Sequence, residues 1–240
     1  MAVHCNIVSI VIFTISIGLL LATFYSHKPH NARYIFVDLG ANRADSLETF
    51  LGHKDVKFAY DFPHPEWAMH DEAEIYLFEA NPYFNTALVE AKERYDALSI
   101  KITIFPSTVV DVEDGTRTFY LDNVNTDNDF WGSSTHASHP DAVASKSNGT
   151  ELSAINISRW LLMNTLPRDF VVVKMDIEGA EYEVVPHMVE MGLWTVLDYL
   201  FVEWHPGVLN GDTSSEERVR VAQSQLMAGG VKMPSYDSAA

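Results

Sequence analysis

The sequence predicts an α/β protein: a doubly wound, mostly parallel sheet with helices on both faces, preceded by an N-terminal transmembrane helix. Three observations carry that expectation. Strand-like and helix-like segments alternate from Tyr34 onward, each strand is a near-continuous apolar run, and the residues before Tyr34 differ in character from all that follows. Continuous apolar strands are buried on both faces, as in a parallel sheet covered by crossover helices.

The chain has 240 residues, 16 of them basic and 33 acidic, for a net charge of −17, with 47% hydrophobic residues and one cysteine. This acidity argues against a nucleic-acid backbone as partner, because phosphate binding needs clustered Lys and Arg. The apolar content suffices for a core and argues against disorder. A lone cysteine, Cys5, excludes an intrachain disulfide and a multi-cysteine zinc site. Only Lys28 and Arg33 among the bases precede the first acid, Asp38, so the remainder holds 14 bases against all 33 acids, a net of −19.

Taken in order, the first segment is Ile7 to Phe24, IVSIVIFTISIGLLLATF, with no charge between Asn6 and Ser26. A helix of this length spans a hydrocarbon core of ~30 Å. No Lys or Arg precedes it and no A-x-A cleavage site lies near Phe24, which favours a signal anchor over a cleaved signal peptide. The run also lacks the polar face of a buried core helix. Residues 1–33 are therefore read as anchor and linker, and 34–240 as the globular domain. The bases after the run would face the cytoplasm by the positive-inside rule. Two sequons, Asn148-Gly-Thr and Asn156-Ile-Ser, point instead to a lumenal domain. The expectation carried forward is a single-pass membrane protein with its domain on the Golgi or ER lumenal face.

Tyr34 to Leu39 reads as the first strand, by its β-branched and aromatic residues. A turn at Gly40-Ala-Asn leads to a helix over Arg43–Leu51, and residues 53–73 look like an insertion. Ile75 to Glu79 is the second strand, Phe84 to Ala97 an amphipathic helix, and Ile100 to Phe105 the third strand, stopped by Pro106. Thr116 to Leu121 reads as a hairpin arm after Asp114-Gly115. Residues 122–153, rich in Asn, Asp, Ser, Gly and His, read as one long loop over the site or as a surface loop. Trp131, His136 and His139 in it are available to stack on or bond to a ligand. A helix over Ile157–Leu166, a strand over Phe170–Asp176, a helix over Glu181–Met191, a strand over Tyr199–Trp204 and a helix over Glu216–Met227 complete the pattern.

In such sheets ligands bind at the carboxyl ends of the strands. Those ends carry Asp38-Leu-Gly-Ala-Asn42, Glu79 with Asn81, Asp176-Ile-Glu-Gly-Ala-Glu181, and Glu203-Trp-His205. Gly40 permits a tight turn and a close ligand approach. An acid at the position of Glu79 can accept both hydroxyls of a ribose. A nicotinamide-type G-x-G-x-x-G is absent after the first strand, where Asn42 and Asp45 hold the later glycine positions, and no G-x-x-x-x-G-K-S/T phosphate loop occurs.

Phe36-Val-Asp-Leu-Gly-Ala-Asn, Leu77-Phe-Glu-Ala-Asn-Pro, Val173-Lys-Met-Asp-Ile-Glu-Gly-Ala-Glu and Phe201-Val-Glu-Trp-His together resemble the FkbM-type S-adenosylmethionine-dependent methyltransferases, from about Tyr34 to about His205. One departure is Ala44, where the family usually has glycine. The resemblance implies a class I methyltransferase, Rossmann-like, with a seven-strand sheet, and S-adenosylmethionine as cofactor. It places Asp38, Gly40, Ala41 and Asn42 against the methionine part, Glu79 on the ribose with Asn81 beside it, Ser107 and Thr108 near the adenine, and Asp176 facing the sulfonium and the acceptor. It implies O-methylation of a hydroxyl on a glycan, glycolipid or related small molecule. The alternative is a catalytically inactive methyltransferase-like binding module. A hydroxyl needs a proton acceptor, and His205 is the favoured base because an unperturbed histidine titrates near 6.5. Asp176 and Glu203 complete the catalytic set, and these two with Glu178 are read as orienters of that histidine or as possible metal ligands. An all-oxygen cluster suits a hard divalent cation, but no metal ligand is assigned.

Overall fold

The computed structural model describes residues 30–53, 60–126 and 130–236. The apolar segment 7–24 and the anchor assigned to it lie outside the described residues. Among the described residues, no helix is long and apolar enough to cross a membrane.

The main sheet has five strands, all parallel: β1 (Tyr34–Leu39), β2 (Glu74–Glu79), β3 (Lys101–Pro106), β7 (Phe170–Met175) and β8 (Tyr199–Val202), in the order β3-β2-β1-β7-β8. A second sheet holds β4 (Thr108–Asp111), β5 (Gly115–Phe119) and β6 (Thr150–Asn156), in the order β4-β6-β5. The helices are α1 (Asp45–Phe50), α2 (Asn85–Asp96), α3 (Pro140–Ala144), α4 (Ile157–Asn164), α5 (Glu181–Glu190) and α6 (Thr213–Ala228).

Side chains on a strand alternate between faces, and both faces of this sheet are apolar. Phe36 and Val172 pack with Leu47 and Phe50 of α1 and Leu88, Ala91 and Tyr95 of α2. Ile35, Val37, Leu39, Val171 and Val173 pack with Leu161 of α4, Val184 and Met188 of α5, and Leu226 of α6. Helices thus cover both faces, as the unbroken apolar strands predict. Part of the 53–73 insertion joins the first face, where Phe62 is buried against Phe36, Phe201 and Tyr236.

Three expectations need correction. The sheet has five strands among the described residues, not seven; beyond β8 only Lys232 forms a one-residue parallel bridge, to Tyr199. Residues 122–153 are not one loop, because they contain α3 and the start of β6. The arm expected at 116–121 does form as β5, but its antiparallel partner is β6, more than thirty residues on. The folded body also begins before Tyr34: Arg33 donates its backbone N–H to Asp169 (3.0 Å) and pairs with Glu74 (3.3 Å).

The two sequons differ in structure. Asn148 is exposed. Asn156 caps α4, accepting from Arg159 N (2.9 Å), and donates to the carbonyl of Val112 (2.6 Å).

Candidate functional site

The carboxyl ends of β1, β2, β7 and β8 open onto one cleft, with about 950 Å³ of space not filled by atoms, part of it continuous with solvent. Gly40, Ala41 and Asn42 line it after β1, Glu79 and Asn81 after β2, Thr108 to Val110 from β4, Asp176 to Glu178 after β7 and Glu203 after β8. Phe119 at the end of β5, with Phe130 and Trp131 from the segment between β5 and α3, adds an aromatic wall.

The floor is a buried ion group. Asp38 and Lys174 are register neighbours on adjacent parallel strands, so both side chains leave the same face. Asp38 is 0% exposed and Lys174 1%. The Lys174 ammonium lies 3.2 Å from Asp38, 3.5 Å from Asp176 and donates to the Gly40 carbonyl at 2.8 Å. Burial pushes the Asp38 carboxyl up to about 6, against the pull of Lys174. Asp38 was expected against the ligand; it lies beneath the cleft instead and is not among its lining residues. Gly40 also has a different reason. Its φ is +84°, and a Cβ there would sit 1.8 Å from the Asp176 carbonyl oxygen, so the close approach is that of the chain itself.

Glu79 is buried at the end of β2. Its Oε2 accepts Asn42 N (2.7 Å) and its Oε1 accepts Asn81 N (2.6 Å). Each oxygen keeps a further lone pair. Burial pushes this carboxyl up to about 7, while the two N–H donors pull it down. Asn81 accepts Tyr83 N and donates to Ser133 (3.1 Å), which ties the aromatic wall to β2. The Asn42 side-chain oxygen is buried without a hydrogen-bond partner. Of the two residues expected near an adenine, Thr108 lines the cleft; Ser107 does not, and its hydroxyl accepts from Asn85 (2.9 Å).

His205 sits behind the cleft wall, ringed by acids. Its Nδ1 is 3.2 Å from Glu181 Oε1, and its Nε2 is 3.7 Å from Asp176 and 3.5 Å from Glu178. Burial works against a charge on the ring, but Glu181, Glu178 and Asp176 outweigh it and push His205 up to about 10. This overturns its reading as a neutral base: among these carboxylates the imidazole carries a proton at pH 7. The sequence argument used the unperturbed value, and the acids that change it come from the β7–α5 turn. His136 and His139, expected to face a sugar, turn onto that same segment. His136 Nε2 is 3.2 Å from the Gly179 carbonyl, and His139 Nε2 is 3.3 Å from Glu178.

Sequence reasoning passed over Lys174 and read Glu178 as a possible metal ligand or an orienter of His205. The signal for Lys174 was a cation inside Phe170-Val-Val-Val-Lys-Met, since a charge in a buried strand needs a partner.

Ala44, at the N-cap of α1, has φ 71° and ψ 28°, the left-handed region. Glycine reaches it without steric cost, which gives the departure at this position a conformational meaning.

The sequence profile of the family described as "Methyltransferase FkbM domain" matches residues 38–220. The chain belongs to this family and is a methyltransferase by that membership. No curated protein and no solved structure matches the chain. S-adenosylmethionine, the methyl donor the family implies, is compatible with the residues present. Glu79 offers two acceptor oxygens at a parallel strand end, Asn42 offers an unpartnered carbonyl oxygen, and Asp176, Glu178 and Glu203 give the cleft carboxylates that suit a positively charged sulfonium and ammonium.

Proposed function

We propose that this FkbM-family chain is an S-adenosylmethionine-dependent O-methyltransferase acting on a hydroxyl of a glycan, glycolipid or related small molecule. The observation that carries the reading is Glu79, a buried carboxylate fixed by one backbone N–H on each oxygen at the end of the strand next to β1. That geometry suits a pair of vicinal ribose hydroxyls. When bound, the cofactor supplies an activated methyl group, so the protein's task is to orient, to exclude water and to take a proton. Asn42 and Asn81 flank the ribose position, and Thr108 and Val109 border the adenine side. Asp176, held by Lys174 from below, brings negative charge to the sulfonium side. Phe119, Phe130 and Trp131 supply apolar faces that shield the cleft and suit the flat apolar face of a sugar ring. The polar group of Asp176, Glu178 and Glu203 supports a hydroxyl acceptor, which must lose a proton on methylation.

An intact Glu79 cradle and cleft favour an enzyme over an inactive binding module. The apolar run 7–24 supports a single-pass anchor, and the exposed Asn148 sequon supports a lumenal domain in the Golgi or ER. Calorimetric titration of the full chain with S-adenosylmethionine tests the first step: binding is expected, and no heat at millimolar cofactor removes the reading. Methyl-labelled cofactor with a glycan extract of the host, followed by mass spectrometry, tests the second. Label confined to protein or nucleic acid would refute a glycan acceptor.

A further inference from the structure

We propose that Glu178 accepts the proton of the substrate hydroxyl, with His139 and His205 as its positioning residues. This rests on the methyl-transfer reading above and deepens it. Glu178 lines the cleft, as do Asp176 and the aromatic residues Phe119, Phe130 and Trp131. Its φ is 54°, a left-handed conformation that a glutamate adopts only when its surroundings impose it. Here they do. Ser134 Oγ donates to the Glu178 carbonyl (2.6 Å), and His136 Nε2 meets the Gly179 carbonyl (3.2 Å). The N–H groups of Ile177 and Gly179 are taken by the Glu181 carboxylate (2.7 and 2.8 Å). Four bonds to other segments or to the start of α5 hold this one turn.

The side chain is equally fixed. Asp141 N donates to His139 Nδ1 (3.3 Å), which leaves the ring proton on Nε2, 3.3 Å from Glu178 Oε2. His205 Nδ1 is fixed on Glu181, so its Nε2 also faces Glu178 Oε2, at 3.5 Å. Both rings engage one oxygen, Oε2. Asp176 is engaged from both sides, with the Lys174 ammonium at 3.5 Å and His205 at 3.7 Å. Burial also raises the Glu178 carboxyl above the usual range, with His139 and His205 opposing it and the Asp176 charge adding to it. In the step, the hydroxyl oxygen bonds to the methyl carbon. The carbon–sulfur bond breaks with its electron pair left on sulfur, and the hydroxyl proton passes to Glu178 Oε1, which later returns it to solvent.

The test uses Glu178→Gln in the full chain. Infrared difference spectra against the wild type isolate this one carboxyl with no acceptor present. It is expected to titrate above an ordinary glutamate, near 4.3, in the direction burial sets. Affinity for S-adenosylmethionine should stay within about threefold. Transfer of labelled methyl to the host glycan extract should fall by about 100-fold or more, the usual contribution of a positioned base. Glu178→Gly, which relieves the left-handed strain, should keep or raise the thermal midpoint while losing the same transfer. A carboxyl titrating in the ordinary range overturns the proposal, as does either variant transferring within about threefold of the wild type. Failure of the wild type to bind S-adenosylmethionine counts instead against the methyl-transfer reading.

Discussion

Replacing Lys174 with Met removes the ammonium from beneath the cleft and keeps most of the volume. In the wild type the Asp38 carboxyl, ordinarily near 3.9, is held up to about 6 by burial. Above pH 6 that difference costs about 3 kcal/mol of stability, and the cost fades as pH falls through the folded value toward the unfolded one. Without Lys174 the folded value rises further, and the cost grows until Asp38 simply keeps its proton. At pH 7 that ceiling is about 4 kcal/mol, so ionisation adds ~1 kcal/mol to the deficit. The Gly40 carbonyl, left without its 2.8 Å donor, adds about 1–3 kcal/mol. The expected deficit is therefore ~2–4 kcal/mol at pH 7. It should grow by about 1.4 kcal/mol toward pH 8 and shrink by ~1 kcal/mol at pH 5, where Asp38 is protonated in both proteins. Urea unfolding at pH 5, 7 and 8 measures it. Pairing the change with Asp38→Asn should remove the Asp38 share of the pH dependence and leave the carbonyl part and the share of Glu79, on which Lys174 also acts. A deficit that is flat from pH 5 to 8, or a double variant no flatter than the single, would refute the argument that Lys174 neutralises Asp38.

Glu79 must be ionised to accept two hydroxyls, and burial holds it up to about 7. Cofactor affinity should therefore fall by about tenfold per pH unit below 7 and level off above it. Calorimetry from pH 5.5 to 8 checks this, and Glu79→Gln should both weaken binding and flatten the profile. Ala44 is 0% exposed with φ 71°, so Ala44→Val adds β-branching in a left-handed, filled position. It should lower stability by more than about 2 kcal/mol in urea unfolding.

The main strands were legible because their chemistry is local: a run such as Phe170-Val-Val-Val-Lys-Met needs no context to be read as buried. β6 was not. Thr150–Asn156 is exposed or half-buried along its whole length, so its residues carry no apolar pattern, and only pairing with β4 and β5 makes it a strand. The same division holds in the site. Glu79 and Asn81 could be placed from their strand end alone. His205 could be placed but not charged, because Glu178 and Glu181 reach it across a turn whose path is set by Ser134 and His136. Ser107 and Thr108 were read as one pair, but β4 begins between them and turns only the second toward the cleft.

Strain explains why those particular contacts escape the sequence. Among the described residues nine that are not glycine have positive φ, and Asn42, Phe130 and Glu178, all three of which line the cleft, are among them. Ala44 and Ser107 lie in turns that follow β1 and β3. A left-handed turn redirects the next side chain, and with residues other than glycine there is no letter in the sequence that announces it. Such turns persist only where surrounding bonds over-determine them. In this cleft the bonds are visible: Glu79 takes the Asn42 N–H, and Ser134, His136 and Glu181 hold the turn at Glu178. The clamping groups come from β2, from the segment before α3 and from the start of α5. Loosening any one of them should therefore act on the geometry of the cleft before it acts on the stability of the sheet. Ser134→Ala makes the distinction measurable. Loss of its hydroxyl, which donates to Glu178 at 2.6 Å and accepts His136 N at 3.0 Å, should cost about 1–3 kcal/mol in unfolding. The infrared titration of Glu178 should shift in the same variant, because its carboxylate is then no longer held against His139 and His205. An unchanged titration beside a measurable loss of stability would mean that the turn is held by the remaining bonds, and that Ser134 does not set the direction of Glu178.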